Sequence, residues 1–242
     1  MATPAHFADG ISNTKVGNPL YGMGQLDPTT YKTWFNDFFG WTAGDWTVTE
    51  TQVGATQAAI TGDGGLFQMV NSAANNDYTS VQWAGGSGAT IEPFLLDSAK
   101  DFFMKARFKV SNATNAYLMV GLAITDTTPA DVTNGVYFQK AAASTSLLFG
   151  TEKANTASTA TITTMADDTF IEVGMNYIAQ GSGNAVFRGY YKNSSGVWVN
   201  SGSTLANTNL PIVTLTPTIA TQNGTAAAIT TTIDYLFIAQ QR

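Results

Sequence analysis

Past about residue 45 the chain alternates apolar and polar positions in short runs. Phe102, Met104, Ala106, Phe108 and Val110 fall on one face of an extended segment, and Lys105, Arg107 and Lys109 fall on the other. A period of two buries the first set and leaves the second in water. From Tyr117 to Ile124 both faces are apolar, the pattern of a central strand covered on each side. Ile171, Val173, Met175 and Tyr177 share one face, as do Phe187, Gly189 and Tyr191; the same alternation places Ile229, Ile233, Tyr235 and Phe237 together on the last strand. Asp63-Gly64, Asn134-Gly135 and Asn223-Gly224 supply residues that tolerate positive φ in tight turns. Short strands with such punctuation predict an all-β antiparallel sandwich or jelly roll, not a parallel sheet. The stretch Ala141 to Thr164, rich in Ala, Ser and Thr, reads as a loop or weak edge strands. Asp27 to Phe35 is the one short helix expected, with Asp27 as cap and Pro28 in the first turn.

The leading residues follow no period. Phe7, Ile11, Val16, Leu20, Tyr21, Met23 and Leu26 are scattered among Gly, Pro, Asn and Thr. An arm of that kind cannot bury itself, so it stays disordered or lies across a neighbour, with packing on its own domain as the alternative. Ile11, Val16, Leu20, Tyr21 and Met23 are therefore candidate interface residues. The aromatic run Trp34-Phe35-Asn36-Asp37-Phe38-Phe39-Gly40-Trp41 follows, then Trp46. Phe35 and Phe38 are expected in the sandwich's own core. Trp34, Phe39 and Trp41 are expected as interface anchors, because buried aromatics dominate contact energies. This divides the chain into an N-terminal arm with aromatic linker, 1–44, and a sandwich domain, 45–242.

Composition narrows the function. The 242 residues carry a net charge of -6 and only 12% charged residues, against about 25% in ordinary soluble domains. With no basic cluster the chain is a poor binder of nucleic acid, and no window reaches the ~20 apolar residues of a membrane span. No secretion signal is visible at the start. The one histidine, His6, sits in the irregular leader, and there is no cysteine, so a His-based catalytic or metal site lacks its residues. The four glutamates (Glu50, Glu92, Glu152, Glu172) form no acid pair, and Asp167-Asp168 reads as a turn. No phosphate-cradling glycine motif appears. These observations predict no enzyme, cofactor or metal. Lys105, Arg107 and Lys109 are candidate charges for meeting an acidic surface, against the plainer reading of a solvated strand face. Trp83 and Trp198, beside expected loops, permit sugar stacking.

Five stretches in order resemble a family of tailed-bacteriophage virion proteins with a concanavalin-like jelly roll. They are Phe7-Ala8-Asp9-Gly10-Ile11-Ser12-Asn13; Phe35-Asn36-Asp37-Phe38 through Gly44-Asp45-Trp46-Thr47-Val48; Phe103-Met104-Lys105-Ala106-Arg107-Phe108; Gly121-Leu122-Ala123-Ile124-Thr125-Asp126-Thr127-Thr128-Pro129; and Gln222-Asn223-Gly224 leading to Ile233-Asp234-Tyr235. The resemblance implies a capsid decoration or cement protein on the virion surface, made in the host cytoplasm. Its partners would be the major capsid protein and further copies of itself, as dimer or trimer. The same jelly roll occurs in laminarinase-like hydrolases and lectins, but the hydrolases' Glu-x-Asp-x-x-Glu strand and a lectin-like calcium cluster are absent. The alternative is a tail-fibre or receptor-binding module that recognises host glycans.

Overall fold

The structure is a computed structural model, and it describes residues 17–20, 29–86, 90–128, 131–179 and 185–242. The strands are β1 (Tyr31–Asn36), β2 (Trp46–Glu50), β3 (Thr56–Ile60), β4 (Leu66–Val70), β5 (Tyr78–Trp83), β6 (Phe94–Leu95), β7 (Phe102–Val110) and β8 (Ala116–Ala123). They continue with β9 (Gly135–Lys140), β10 (Ser146–Lys153), β11 (Thr156–Thr164), β12 (Ile171–Tyr177), β13 (Val186–Lys192), β14 (Trp198–Ala206), β15 (Thr214–Asn223) and β16 (Thr230–Gln241). Helix among the described residues is limited to 3-10 turns at Ala43–Asp45 and Asn207–Asn209.

The strands form two antiparallel eight-stranded sheets. Sheet I runs β14-β13-β12-β7-β16-β4-β3, with β1 also pairing β16; sheet II runs β11-β10-β9-β8-β15-β5-β2, with β6 also on β15. Their inner faces meet in one core. Phe67 and Met69 of β4, Met104, Ala106 and Phe108 of β7, Leu118 and Val120 of β8, and Phe138 of β9 all lie in it. The expected sandwich is thus observed, and the inward residues of β7, β12 and β13 are those that period two selected. Sheet II is also covered outside, where Tyr117, Met119, Tyr137, Val132 and Ala220 form a second buried cluster. That explains why the Tyr117–Ile124 segment is apolar on both faces.

Four expectations are corrected. The helix over Asp27–Phe35 is absent from its described part: Thr29 and Thr30 form a turn, and Tyr31 opens β1. The run Tyr-Lys-Thr-Trp-Phe suits a pleated surface, and pairing with β16 from Tyr31↔Gln241 to Asn36↔Leu236 outweighs the local cap signal. Sheet I therefore starts well before residue 45. Next, Tyr235 and Phe237 do not share a face with Ile233. Ile233 opposes Phe108 and Tyr235 opposes Arg107, so Asp234 is an extra residue and the parity flips. Leu236 and Ile238 point into the core instead. Third, Ala141–Thr164 contains two long strands, and only β11 lies at an edge; β10 pairs on both sides. Last, positive φ is found at Gly64 and Gly65 but not at Asn134-Gly135 or Asn223-Gly224. Asn223 is instead a fully buried strand residue.

Lys140, at the end of β9, is fully buried. Its ammonium donates to the carbonyls of Ala141 (2.9 Å), Thr114 (3.4 Å) and Ala116. Burial pushes its pKa down to about 8, opposed by the nearby Asp167, while the unfolded group titrates near 10.5. Between those values the unfolded chain holds a proton that the native chain does not. Wild type is therefore expected to gain stability relative to Lys140→Met as pH rises from 8 to 10, with a slope up to about 1.4 kcal/mol per unit. Urea denaturation of both proteins at pH 7, 8, 9 and 10 measures this; a constant difference contradicts it.

Candidate interaction surface

The outer face of sheet I collects most of the candidate residues in one place. On β7 the outward positions are Phe103, Lys105, Arg107 and Lys109. Each cation has an acid from a neighbouring element. Lys105 lies 3.5 Å from Glu172, Arg107 pairs with Asp234, and Lys109 lies 3.5 Å from Asp168. Glu172 also receives Lys192 at 2.8 Å and the Tyr235 hydroxyl at 2.6 Å. Burial works against its carboxylate, but the hydrogen bonds from Lys192 and Tyr235 and the two ammonium charges hold its pKa below the usual range. Aromatic rings complete the cover: Lys105 sits 4.8 Å over Trp198, and Arg107 sits 4.2 Å over Phe170. The row is thus neutralised within the chain and does not present a free positive stripe.

The described part of the arm crosses this face. Gly17 lies beside the Trp198 carbonyl, and Pro19 rests directly on Gly174 of β12. Leu20 packs on the cluster of Tyr31, Phe103 and Ala239. For these residues it is the domain-internal alternative that is seen, since they pack on the chain's own sheet. Ile11, Val16, Tyr21 and Met23 lie outside the described residues.

The aromatic linker divides differently from expectation. Trp34 points inward on β1 and meets Trp46 and Trp83 edge-on at 6.0 and 6.3 Å. Asn36 Oδ1 accepts the Phe38 amide at 2.8 Å, and Phe38 takes φ 53°. That turn folds the chain over β4, where Phe67 is stacked by Trp41 at 4.3 Å and by Phe38 at 5.2 Å. Trp34 and Trp41 are therefore partly buried and packed against the chain's own core. Phe38 is buried as expected, whereas Phe35 is 58% exposed and Phe39 78% exposed. The parity of β1 sends Phe35 outward, with Tyr235 6.3 Å away. Phe35 thus lies exposed on the outer face of sheet I, and Phe39 is exposed in the turn that follows.

Beyond Lys192, a groove of about 420 Å³ is lined by Thr163, Thr164, Phe170, Tyr191 and Asn193. Among the described residues no group of three or more His, Cys, Asp or Glu side chains is placed to hold a metal. Period two put Lys105, Arg107 and Lys109 outside, and the same rule puts Glu172, the acid of Lys105, on that face; Asp234 and Asp168, which pair Arg107 and Lys109, carry no such signal. Nothing local signals the Pro19–Gly174 contact.

Neither a protein-family profile nor a curated sequence matches the chain. Solved structures do. A Shewanella oneidensis MR-1 protein of unknown function is 14% identical, covering 88% of this chain and 87% of that one at TM-score 0.56. A prokaryotic beta-1,3-1,4-glucanase (lichenase) from a mouse hindgut metagenome is 8% identical over 85% and 98%, at TM-score 0.56. Peanut lectin is 11% identical over 87% and 97%, at TM-score 0.53. The chain therefore has the concanavalin-like jelly-roll fold shared by lectins and glucanases. At these identities the likeness defines the fold and not the activity.

Proposed function

We propose that this chain is a non-catalytic structural protein of a tailed-phage virion that decorates the head. It works by burying the outer face of sheet I against the major capsid protein and further copies of itself. The observation that carries this reading is the exposure of two large apolar rings, Phe35 and Phe39, with Phe35 on the same outer face that the arm crosses. The ordered sequence resemblance supports it. Hiding ~800 Å² per partner gives a standard-sized stable contact, and many copies on a lattice reinforce one another. Because the cations are paired internally, attachment rests on apolar burial, which salt does not screen.

Co-sedimentation with heads lacking the protein tests this. Wild type is expected to bind with little change between 50 mM and 500 mM salt. The double variant Phe35→Glu, Phe39→Glu is expected to bind at least tenfold more weakly while keeping its thermal unfolding midpoint, since both rings are exposed. Unchanged binding by the double variant contradicts the reading. The groove beside Tyr191, with its threonine hydroxyls and Asn193, favours a second reading, a tail-fibre or receptor-binding module for host glycans. Trp83, packed on Trp34, and Trp198, under Lys105, are not free stacking platforms for it. A glycan array distinguishes the two: saturable binding lost in Tyr191→Ala supports the module.

A further inference from the structure

Six strands have a free side, and five of them are guarded. β14 is interrupted by Gly202 at φ +78° and slips register against β13 between Arg188 and Tyr190. Its Ser203 hydroxyl donates to the Thr161 carbonyl of β11 at 2.8 Å, and β11 slips register as well, opposite Leu147 and Leu148. β2 follows Asp45 and ends on Glu50. β1, beside β16, carries Lys32, and β6, beside β15, is only two residues long. Bulges, charges and shortness are the usual means of keeping an edge from recruiting another strand. β3, Thr56-Gln57-Ala58-Ala59-Ile60, has no charge, no proline and no register shift. Among the described residues it pairs only with β4, so the backbone groups along its other side lack a strand partner. Thr56 and Ala58 are exposed on the outer row and Ala59 on the inner row, so both faces are open where the sheet ends.

We infer that the free side of β3 pairs with β3 of a second copy, antiparallel about a two-fold axis through Ala58. Full overlap of the five residues, outer row against outer row, allows a single register. Ala58 faces its own copy, Gln57 faces Ala59, and Thr56 faces Ile60. No like charges meet in that register, and the self-opposed side chain is a methyl group. Ile60 over Thr56 is a favourable β-branched pair. Gln57 Nε2 donates to Glu50 Oε1 at 2.6 Å, which keeps the Glu50 carboxylate engaged within its own copy. This self-complementarity is what commits the edge to a second copy. Sheet I of one molecule, eight strands wide, then runs on into sheet I of the other. Five paired residues bury less than the ~800 Å² per partner of a standard contact, so the pair is weak in solution and gains from a lattice that holds copies close. The inference rests on the proposed structural role for its place in a particle, whereas the pairing itself is measured without heads.

Charge exchange at the axis tests this in the full chain. Ala58 is exposed, so Ala58→Lys and Ala58→Glu are expected to keep the wild-type unfolding midpoint. By sedimentation velocity, wild type is expected to pass from monomer to dimer as its concentration rises. Each variant alone is expected to associate at least tenfold more weakly, because like charges then meet across the axis. A 1:1 mixture of the two is expected to regain association, as a heterodimer by native mass spectrometry. A lysine on the edge repels any incoming strand, but only self-pairing is rescued by mixing. Wild type that stays monomeric up to about 1 mM overturns the inference. So does a variant that dimerises as wild type does, or a mixture that stays monomeric, which would assign the edge to a different strand. The chain has no cysteine, so Ala58→Cys places a single thiol at the axis. Opposed Cα atoms in an antiparallel pair lie about 4.5–5.5 Å apart, within the span of a disulfide. Faster disulfide-linked dimer formation at position 58 than in Val197→Cys, exposed on the far hairpin, supports the register, and equal rates overturn it. Head binding is scored separately, so dimers that fail to attach to heads count against the decoration role and leave the pairing standing.

Discussion

Phe67→Ala is expected to lower the unfolding free energy by about 3–5 kcal/mol, the usual cost of deleting a fully buried phenylalanine. Phe67 has no exposed surface. Its ring lies between Trp41 and Phe38, nearly parallel to both at 23° and 20°. Trp41 in turn stacks on Trp46 at 5.4 Å. Removing the middle ring leaves a cavity and also unties the aromatic linker from β4, since that linker is held by these stacks. Urea denaturation should show a lower midpoint with an unchanged slope. Phe39→Ala is the contrast: at 78% exposure it should change stability by less than about 0.5 kcal/mol. A loss under 1 kcal/mol at Phe67 would mean that the linker is not part of the core.

Asn223→Ala is expected to cost about as much, by a different mechanism. Its Nδ2 donates to the carbonyls of Ser72 (2.6 Å) and Ala74 (2.9 Å). Its Oδ1 accepts from the Ile229 amide and from Asn71 Nδ2, both at 3.2 Å. Asn71 Nδ2 also reaches the Asp77 carbonyl at 2.9 Å, and Asp77 Oδ2 accepts the Ser72 amide at 2.6 Å. These residues lock the β4–β5 connection to the end of β15 and the start of β16. Truncation leaves buried donors and acceptors unpaired, each costing about 1–3 kcal/mol, and neighbours within one network do not add. A loss of about 3–5 kcal/mol is expected. Asn223→Asp should not recover it at neutral pH, because the oxygen that replaces Nδ2 faces the Ser72 and Ala74 carbonyls with no proton to donate. A loss below 1 kcal/mol for Asn223→Ala would contradict this account of the knot.

The sandwich was legible wherever burial alone sets the pattern. On β7, β12 and β13 one face meets the core without interruption, so alternation selects the right side chains. On β16 the rule holds only up to Ile233. Asp234, the bulged residue, carries its carboxylate to Arg107, and a single inserted position reverses every residue after it. The error at Asp27–Phe35 arose from local capping signals, which a strand partner some two hundred residues away overrode. The candidate surface was legible in part. Outward cations follow from period two, but their neutralisation depends on which strands become neighbours. Asn223 looked like a turn residue because its side chain suits turns; here the same hydrogen-bonding capacity is used in the interior. The seat for Pro19 left no trace in the sequence, since neither proline in an irregular arm nor glycine in a strand specifies the other.

A reconstruction of the intact virion is the most direct measurement. The account predicts this jelly roll on the head surface, with Phe35 and Phe39 buried against a neighbouring subunit. Density on the tail, with Phe35 and Phe39 open to solvent, would contradict it.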